Sequence, residues 1–182
     1  MSKKYKARNP DGIYFITSTV IGWVDVFIRK EYFDIIIQSL KHCQENKGLT
    51  IYAYVIMTSH LHLIVSADGD YSLSDIMRDF KKYTSKALVK SIQEINESRK
   101  VWMLKKFEYE VKRTGRGEYF KLWQDGYHPI ELITPKRMQN CLDYIHNNPI
   151  ESGFVDEPED YTYSSAKNYS GNKALLDIVF LM

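Results

Sequence analysis

Residues 49–66 read LTIYAYVIMTSHLHLIVS. Two runs rich in β-branched, aromatic and aliphatic residues are separated by Thr58 and Ser59, a link short enough to join antiparallel neighbours in a sheet. Along the second run side chains alternate between faces, so Leu61, Leu63 and Val65 point one way while His60 and His62 point the other. The apolar set can face a core. The two imidazoles then share a face, where a neutral ring nitrogen from each could bind one divalent ion. Two partly exposed histidines on a wet sheet face would look the same, and H-x-H alone does not choose. The helical H-E-x-x-H of zinc proteases is absent, and neither histidine opens an H-x-[ST] element of the two-histidine phosphodiesterases.

Working outward, GIYFITSTVIGW predicts a strand over 13–21. Phe33, Ile36, Ile37, Leu40 and Cys43 recur at helical spacing, with Gly48 placed to cap a helix of roughly 30–47. Ser72 and Asp75 resemble a capping box opening a helix from about 74 to 96, in which Ile76, Phe80, Tyr83 and Ala87 are expected on one face. HPIELI reads as a strand. Thr134 and Pro135 then start a helix carrying Met138, Leu142 and Ile145, expected to end at NNP before Pro149. Residues 99–127 interleave aromatic and basic side chains, and RTGRGEYF reads as a turn or loop. The apolar tail ALLDIVFLM is expected to dock as a strand or helix.

This order implies an α+β fold, an antiparallel sheet with packed helices, with a ferredoxin-like core as the nearest common architecture. We expect a single domain over 1–182: a basic arm at 1–10, a core of about 12–150, and an acidic loop and docking tail at 151–182.

With 44% hydrophobic and 26% charged residues the chain can bury a core, which excludes a disordered class. A net charge of +2 neither demands nor excludes a nucleic-acid partner. No apolar run approaches the ~20 residues that cross a bilayer, so no membrane partner is expected. Cys43 and Cys141 fit no metal-knuckle spacing, and MSKKYKARNPDGIYF lacks the apolar centre of a secretory signal, so free thiols in a reducing cytoplasm are expected.

Two further stretches carry chemistry. In FKKYTSKAL, residues 80–88, Tyr83 is ringed by Lys81, Lys82 and Lys86. A tyrosine facing the sheet among those cations would meet a phosphate held near the histidines, although a core aromatic beside a solvated lysine face is the commoner arrangement. From Arg99 to Trp123 eight Lys/Arg face three glutamates, with Trp102, Phe107, Tyr109, Tyr119 and Phe120 interspersed. Cations for the backbone and aromatic plates for bases suit single-stranded nucleic acid. Lys105, Lys106, Lys112, Arg113 and Arg116 are the expected DNA contacts there, with Lys81, Lys82 and Lys86.

Taken in order, VIMTSHLHLIV, FKKYTSKAL, LWQDGYHPIEL, YIHNNPIESGFV and YTYSSA resemble the HUH-type single-tyrosine transposases, and within them the REP-associated branch. The resemblance spans about residues 12–170. It implies a metal site at His60 and His62 holding Mg²⁺ or Mn²⁺, and a nucleophile at Tyr83. It implies single-stranded or hairpin DNA as substrate, cleaved and rejoined through a 5′-phosphotyrosine. Such proteins act as single chains or as homodimers that exchange the tyrosine helix. The family commonly has Pro-Asn where this chain has Thr58-Ser59. Many members carry a third, polar metal ligand one turn after the tyrosine, a place taken here by Ala87. A DNA hairpin-binding protein without catalysis is therefore the alternative. A sheet-based RNA-binding module ranks last, because no aromatic-rich strand of the required kind is present.

Overall fold

The computed structural model describes residues 7–181. Most of the basic arm, residues 1–6, lies outside the described residues. The elements run β1 (Tyr14–Thr19), α1 (Lys30–Lys47), β2 (Leu49–Ile56), β3 (His60–Ala67), α2 (Leu73–Glu94), α3 (Lys100–Thr114), β4 (Ile130–Glu131), α4 (Pro135–Glu151) and the short α5 (Ala166–Tyr169). The strands form one antiparallel sheet in the order β2-β3-β1-β4. The expected α+β architecture is thus observed.

Local chemistry sets these boundaries. Gly48 closes α1 in a left-handed conformation, φ 67°. The Asp68 carbonyl comes so near that a Cβ at position 48 would lie 1.5 Å from it, so only glycine fits. Ser72 opens α2: its hydroxyl accepts from the Asp75 amide at 3.2 Å and donates to the Asp75 carboxylate at 2.6 Å. Thr134 caps α4, accepting from the Arg137 amide at 3.3 Å.

Two apolar clusters fill the two faces of the sheet. On one, Leu61, Leu63 and Val65 meet Ile36 and Leu40 of α1, Ile76, Phe80 and Leu88 of α2, and Met103 and Phe107 of α3. On the other, Ile64, Phe15, Ala53 and Val55 meet Leu142 and Ile145 of α4. Asn9, Gly12 and the 122–131 segment extend the edge beyond β1, with Thr17 donating its amide to the Tyr127 carbonyl at 3.0 Å.

RTGRGEYF is a turn and loop from Gly115 on, as expected, while the stretch before it, left without an assigned element, forms α3, whose buried positions Met103 and Phe107 are i, i+4 neighbours hidden by the surrounding lysines and glutamates. Three expectations need correction. The HPIELI strand shrinks to two residues, because His128 takes φ 45° and breaks the pairing upstream. Helix α4 continues through Pro149 to Glu151; proline removes one amide donor, but this close to the end few helical bonds remain to lose. The tail docks as neither strand nor helix. It lies against the outer edge of β2, where Val179 donates to the Ile51 carbonyl at 2.9 Å and Leu176 is buried. Both cysteines are free, as expected. Among the described residues no helix is long and apolar enough to cross a membrane.

Candidate active site around the histidine pair

His60 and His62 share the face of β3 that carries α4, with ring centroids 4.8 Å apart and planes at 71°. His62 is 5% exposed and stacks on Phe15 at 5.3 Å. Its register partner on β1 is Thr17, whose hydroxyl is hydrogen-bonded to Nδ1 at 2.9 Å. In the tautomer whose Nδ1–H donates to Thr17, Nε2 carries the lone pair and is the nitrogen that could bind a ligand. Burial, reinforced by neighbouring His60, pushes the His62 pKa down to about 3. Burial also lowers that of His60, partly offset by the carboxylate of Asp25. Both rings are therefore neutral near pH 7, the form that donates to a metal.

The residue against this pair is Tyr144. Its hydroxyl lies 3.5 Å from His62 Nε2, with ring centroids 5.1 Å apart, and its ring also meets Phe15 edge-on at 6.0 Å. Leu142 and Ile145 anchor α4 on the sheet, and Tyr144, beside that stripe, projects along the sheet with 44% of its surface exposed. A phenol that touches His62 yet stays open to solvent is placed to meet a ligand held at the histidines.

Tyr83 does not. It sits on α2, across the sheet from the histidines, and is 62% exposed beside Ser39, His42 and Lys47 of α1. The expected stripe 76, 80, 83, 87 fails because the buried row advances from Phe80 to Thr84 and Leu88, not to Tyr83. Thr84 is held in that row by donating to the Phe80 carbonyl at 2.7 Å and accepting from Trp123 Nε1 at 3.0 Å. Tyr83 is thus turned outward.

The strand entry is tightly built. Ser59 is hydrogen-bonded to His60 Nδ1 at 3.3 Å, and Thr58 donates to the Asp25 carboxylate at 2.6 Å. Thr58 and Ser59, the pair that departs from the expected Pro-Asn, thus brace the entry to β3, Ser59 against His60 and Thr58 against Asp25. Among the described residues no group of three or more His, Cys, Asp or Glu could hold a metal, so two imidazoles are the donors of that kind at the site. They suit a hard divalent cation only if water and phosphate complete its shell.

The expected DNA contacts scatter. Lys81 is largely buried and donates to the Gln124 carbonyl at 2.6 Å and to that of Gly126, with burial pushing its pKa down to about 8. It fastens the 124–126 segment to α2, and its ammonium is taken up by those carbonyls. Lys82 and Lys86 are exposed on α2, away from the histidine face, and Lys86 pairs with Glu118 at 3.5 Å. On α3, Lys105 is exposed, Lys112 pairs with Glu108 at 2.7 Å, and Arg113 with Glu110 at 2.7 Å. Arg116 pairs with Asp125 at 3.0 Å. Such surface pairs are weak and open readily to a phosphate. The Lys106 side chain lies against Gly22, the residue before Trp23, which meets the His60 ring edge-on at 5.3 Å.

A family described as "Transposase IS200 like" matches residues 25–116, half of the chain. The chain belongs to the IS200-like transposases. A Haemophilus influenzae protein named as a REP-associated tyrosine transposase is 23% identical over 168 residues, 91% of this chain and 85% of the relative. The solved structure of a REP-associated tyrosine transposase bound to a REP hairpin superposes with a TM-score of 0.66 at 17% identity. It covers 100% of this chain and 95% of that one, which shows the shared fold. The family match includes the histidines and ends before α4. Tyr144 was nevertheless within reach of sequence reading, since it opens the YIHNNPIESGFV motif, which entered above as a helix end and as one of the motifs of the resemblance, with no role given to its tyrosine.

Proposed function

We propose that this transposase-family protein cleaves and rejoins single-stranded DNA at hairpin-flanked sites, with Tyr144 as nucleophile. The observation that carries this reading is the 3.5 Å approach of the Tyr144 hydroxyl to His62 Nε2. His60 and His62 would hold the divalent cation, Mg²⁺ or Mn²⁺, whose positive charge, when bound, offsets charge building on the phosphate oxygens.

The chain's own residues account for the rest. The Tyr144 oxygen forms a bond to phosphorus while the bond from phosphorus to the 3′ oxygen breaks, leaving a 5′-phosphotyrosine and a 3′-hydroxyl. The phenol proton leaves to solvent, to which Tyr144 is open, and solvent returns a proton to the departing 3′ oxygen. His62, with its pKa near 3, is a poor base and serves as a neutral ligand. Rejoining reverses the step: a 3′-hydroxyl attacks the phosphotyrosine and returns the phenol, so no nucleotide cofactor is needed. Thr17 and Phe15 hold His62 in one orientation.

Reassigning the tyrosine also changes the third-ligand question. One turn beyond Tyr144 stands Asn148, a buried polar residue, where one turn beyond Tyr83 stood Ala87. Asn148 is the candidate third ligand by that spacing. Because Tyr144 and both histidines come from one chain, the reading needs no exchanged helix. The solved relative's REP hairpin supports hairpin DNA as the partner here.

The test incubates the protein with Mn²⁺ and labelled single-stranded hairpins taken from the DNA flanking its gene, then looks for a denaturation-resistant protein–DNA band. We expect a band that is lost in Tyr144→Phe and His62→Ala and kept in Tyr83→Phe. No band, with tight hairpin binding retained, would replace this reading by the binding-only one.

A further inference from the structure

Trp23 is unusual in three ways. It is 60% exposed, although large aromatics are normally buried. Its φ is 56°, a left-handed conformation that a bulky side chain adopts only under constraint. And its ring abuts His60 at 5.3 Å, at the mouth of the site.

The constraint is visible on both sides. Val20 donates its amide to the Ser59 carbonyl at 2.8 Å, and Phe27 donates to that of Thr58 at 2.8 Å. The 20–27 segment is thus pinned to the two residues that precede His60. Between the pins Val20, Ile21, Val24 and Val26 are buried, which leaves Gly22 and Trp23 to make the outward turn, both with positive φ. Lys106 closes over Gly22, its Nζ 2.9 Å from where a Cβ would stand. Backbone strain is thus maintained to display an indole beside His60, one residue after the glycine that Lys106 covers.

We propose that Trp23 is a positioning residue: its indole stacks the base next to the scissile phosphate, while the Lys106 ammonium meets the adjoining backbone phosphate. This rests on the single-stranded DNA reading above. An aromatic plate and a cation side by side hold a single strand without reading its sequence, because every base offers a π-face. Contact with His60 puts that plate within one nucleotide of a phosphate held at the histidines.

The experiment uses Tyr144→Phe protein, which cannot cleave, so that binding alone is read. Hairpin oligonucleotides with a single-stranded flank, intact or made abasic at one position at a time, are titrated against Trp23 and its variants. We expect Trp23→Ala to weaken binding of the intact strand roughly 5- to 150-fold. At one flank position abasic DNA should erase that difference, and Trp23→Phe should keep most of the affinity. Trp23→Gly should lose affinity in the same way while raising the melting temperature, because glycine relieves the left-handed strain. Equal weakening of intact and abasic DNA would assign Trp23 a structural role and overturn the proposal. So would unchanged affinity in Trp23→Ala, and if the Tyr144 adduct still forms in otherwise native protein, the transposase reading survives that loss. Wild-type protein that neither binds nor cleaves the hairpins would overturn both.

Discussion

On one face of the sheet Leu61, Leu63 and Val65 disappear beneath α1 and α2; on the other, one residue along the same strand each time, His60 and His62 face Tyr144. The first face is closed by two long helices and holds the larger apolar cluster. The second is covered by α4 only in part, so that a phenol and an indole remain open to solvent beside buried His62 and half-buried His60. One strand thus supplies both the anchored face and the histidine face. Because its side chains alternate, the rigidity gained on one side holds the imidazoles on the other. The helix that follows the histidines in sequence serves the packing face, and the helix that meets His62 comes far later.

This contrast can be broken most directly at the two tyrosines. Tyr144→Phe should lower formation of the covalent DNA adduct by about a thousandfold or more, since no oxygen remains to attack phosphorus. Tyr83→Phe should leave it within about twofold, because Tyr83 lies across the sheet. If the two effects are reversed, the face assignment is wrong, or the tyrosine comes from a second chain.

Stability separates the faces next. Leu61→Ala should remove about 2–5 kcal/mol in denaturant unfolding, by opening a cavity under the helices. His60→Ala, half-buried at the open mouth, should remove less than about 1 kcal/mol. Comparable losses would mean that the histidine face is as much a core as its opposite.

A third prediction concerns the lock at one end of the packing face. Glu97 is buried and accepts from the Arg99 amide at 3.0 Å, from Arg29 at 3.0 Å and from the Arg99 side chain at 3.2 Å. Burial raises its pKa, but these donors outweigh that and hold it at about 2, below the ordinary 4.5. A depressed carboxyl contributes stability that is fully present above pH 4.5 and is lost as pH falls toward 2, here on the order of 3 kcal/mol. Glu97→Gln should therefore be less stable near pH 7 and show a flatter acid limb in pH-dependent unfolding. An unchanged limb would place the acid sensitivity elsewhere.

The smallest effect sharpens the chemistry side. Thr17→Val removes the hydroxyl that orients His62 while keeping the shape of the strand. Mn²⁺ affinity, followed by calorimetric titration, should fall roughly tenfold with little change in stability. An unaltered affinity would mean that Phe15 stacking alone fixes the ring.

Much of this was legible in the residues. The period of two in HLHLIV put the histidines on one face and the leucines on the other, and the structure keeps that division. The boundaries of α1 and the caps of α2 and α4 follow from Gly48, Ser72 and Thr134, because these are local events between residues a turn apart. The α3 helix was hidden, since only Met103 and Phe107 mark its buried side among many charges. Lys81 looked like a phosphate contact because sequence shows its charge but not the Gln124 and Gly126 carbonyls that it meets across the fold.

Which of the 14 tyrosines meets the histidines was decided only by tertiary structure. Periodicity says which side of an element is apolar, but not across which face of the sheet a distant helix returns. FKKYTSKAL is near the histidines in sequence and carries tyrosine among lysines, yet a single step from the 3 to the 4 spacing turns Tyr83 outward on the packing face. Tyr144, 82 residues beyond His62, reaches it because Leu142 and Ile145 must bury against Ile64 and Phe15. The amino-acid order specified a strand with two imidazoles on one face; the return of α4 over that face brought the Tyr144 hydroxyl to them.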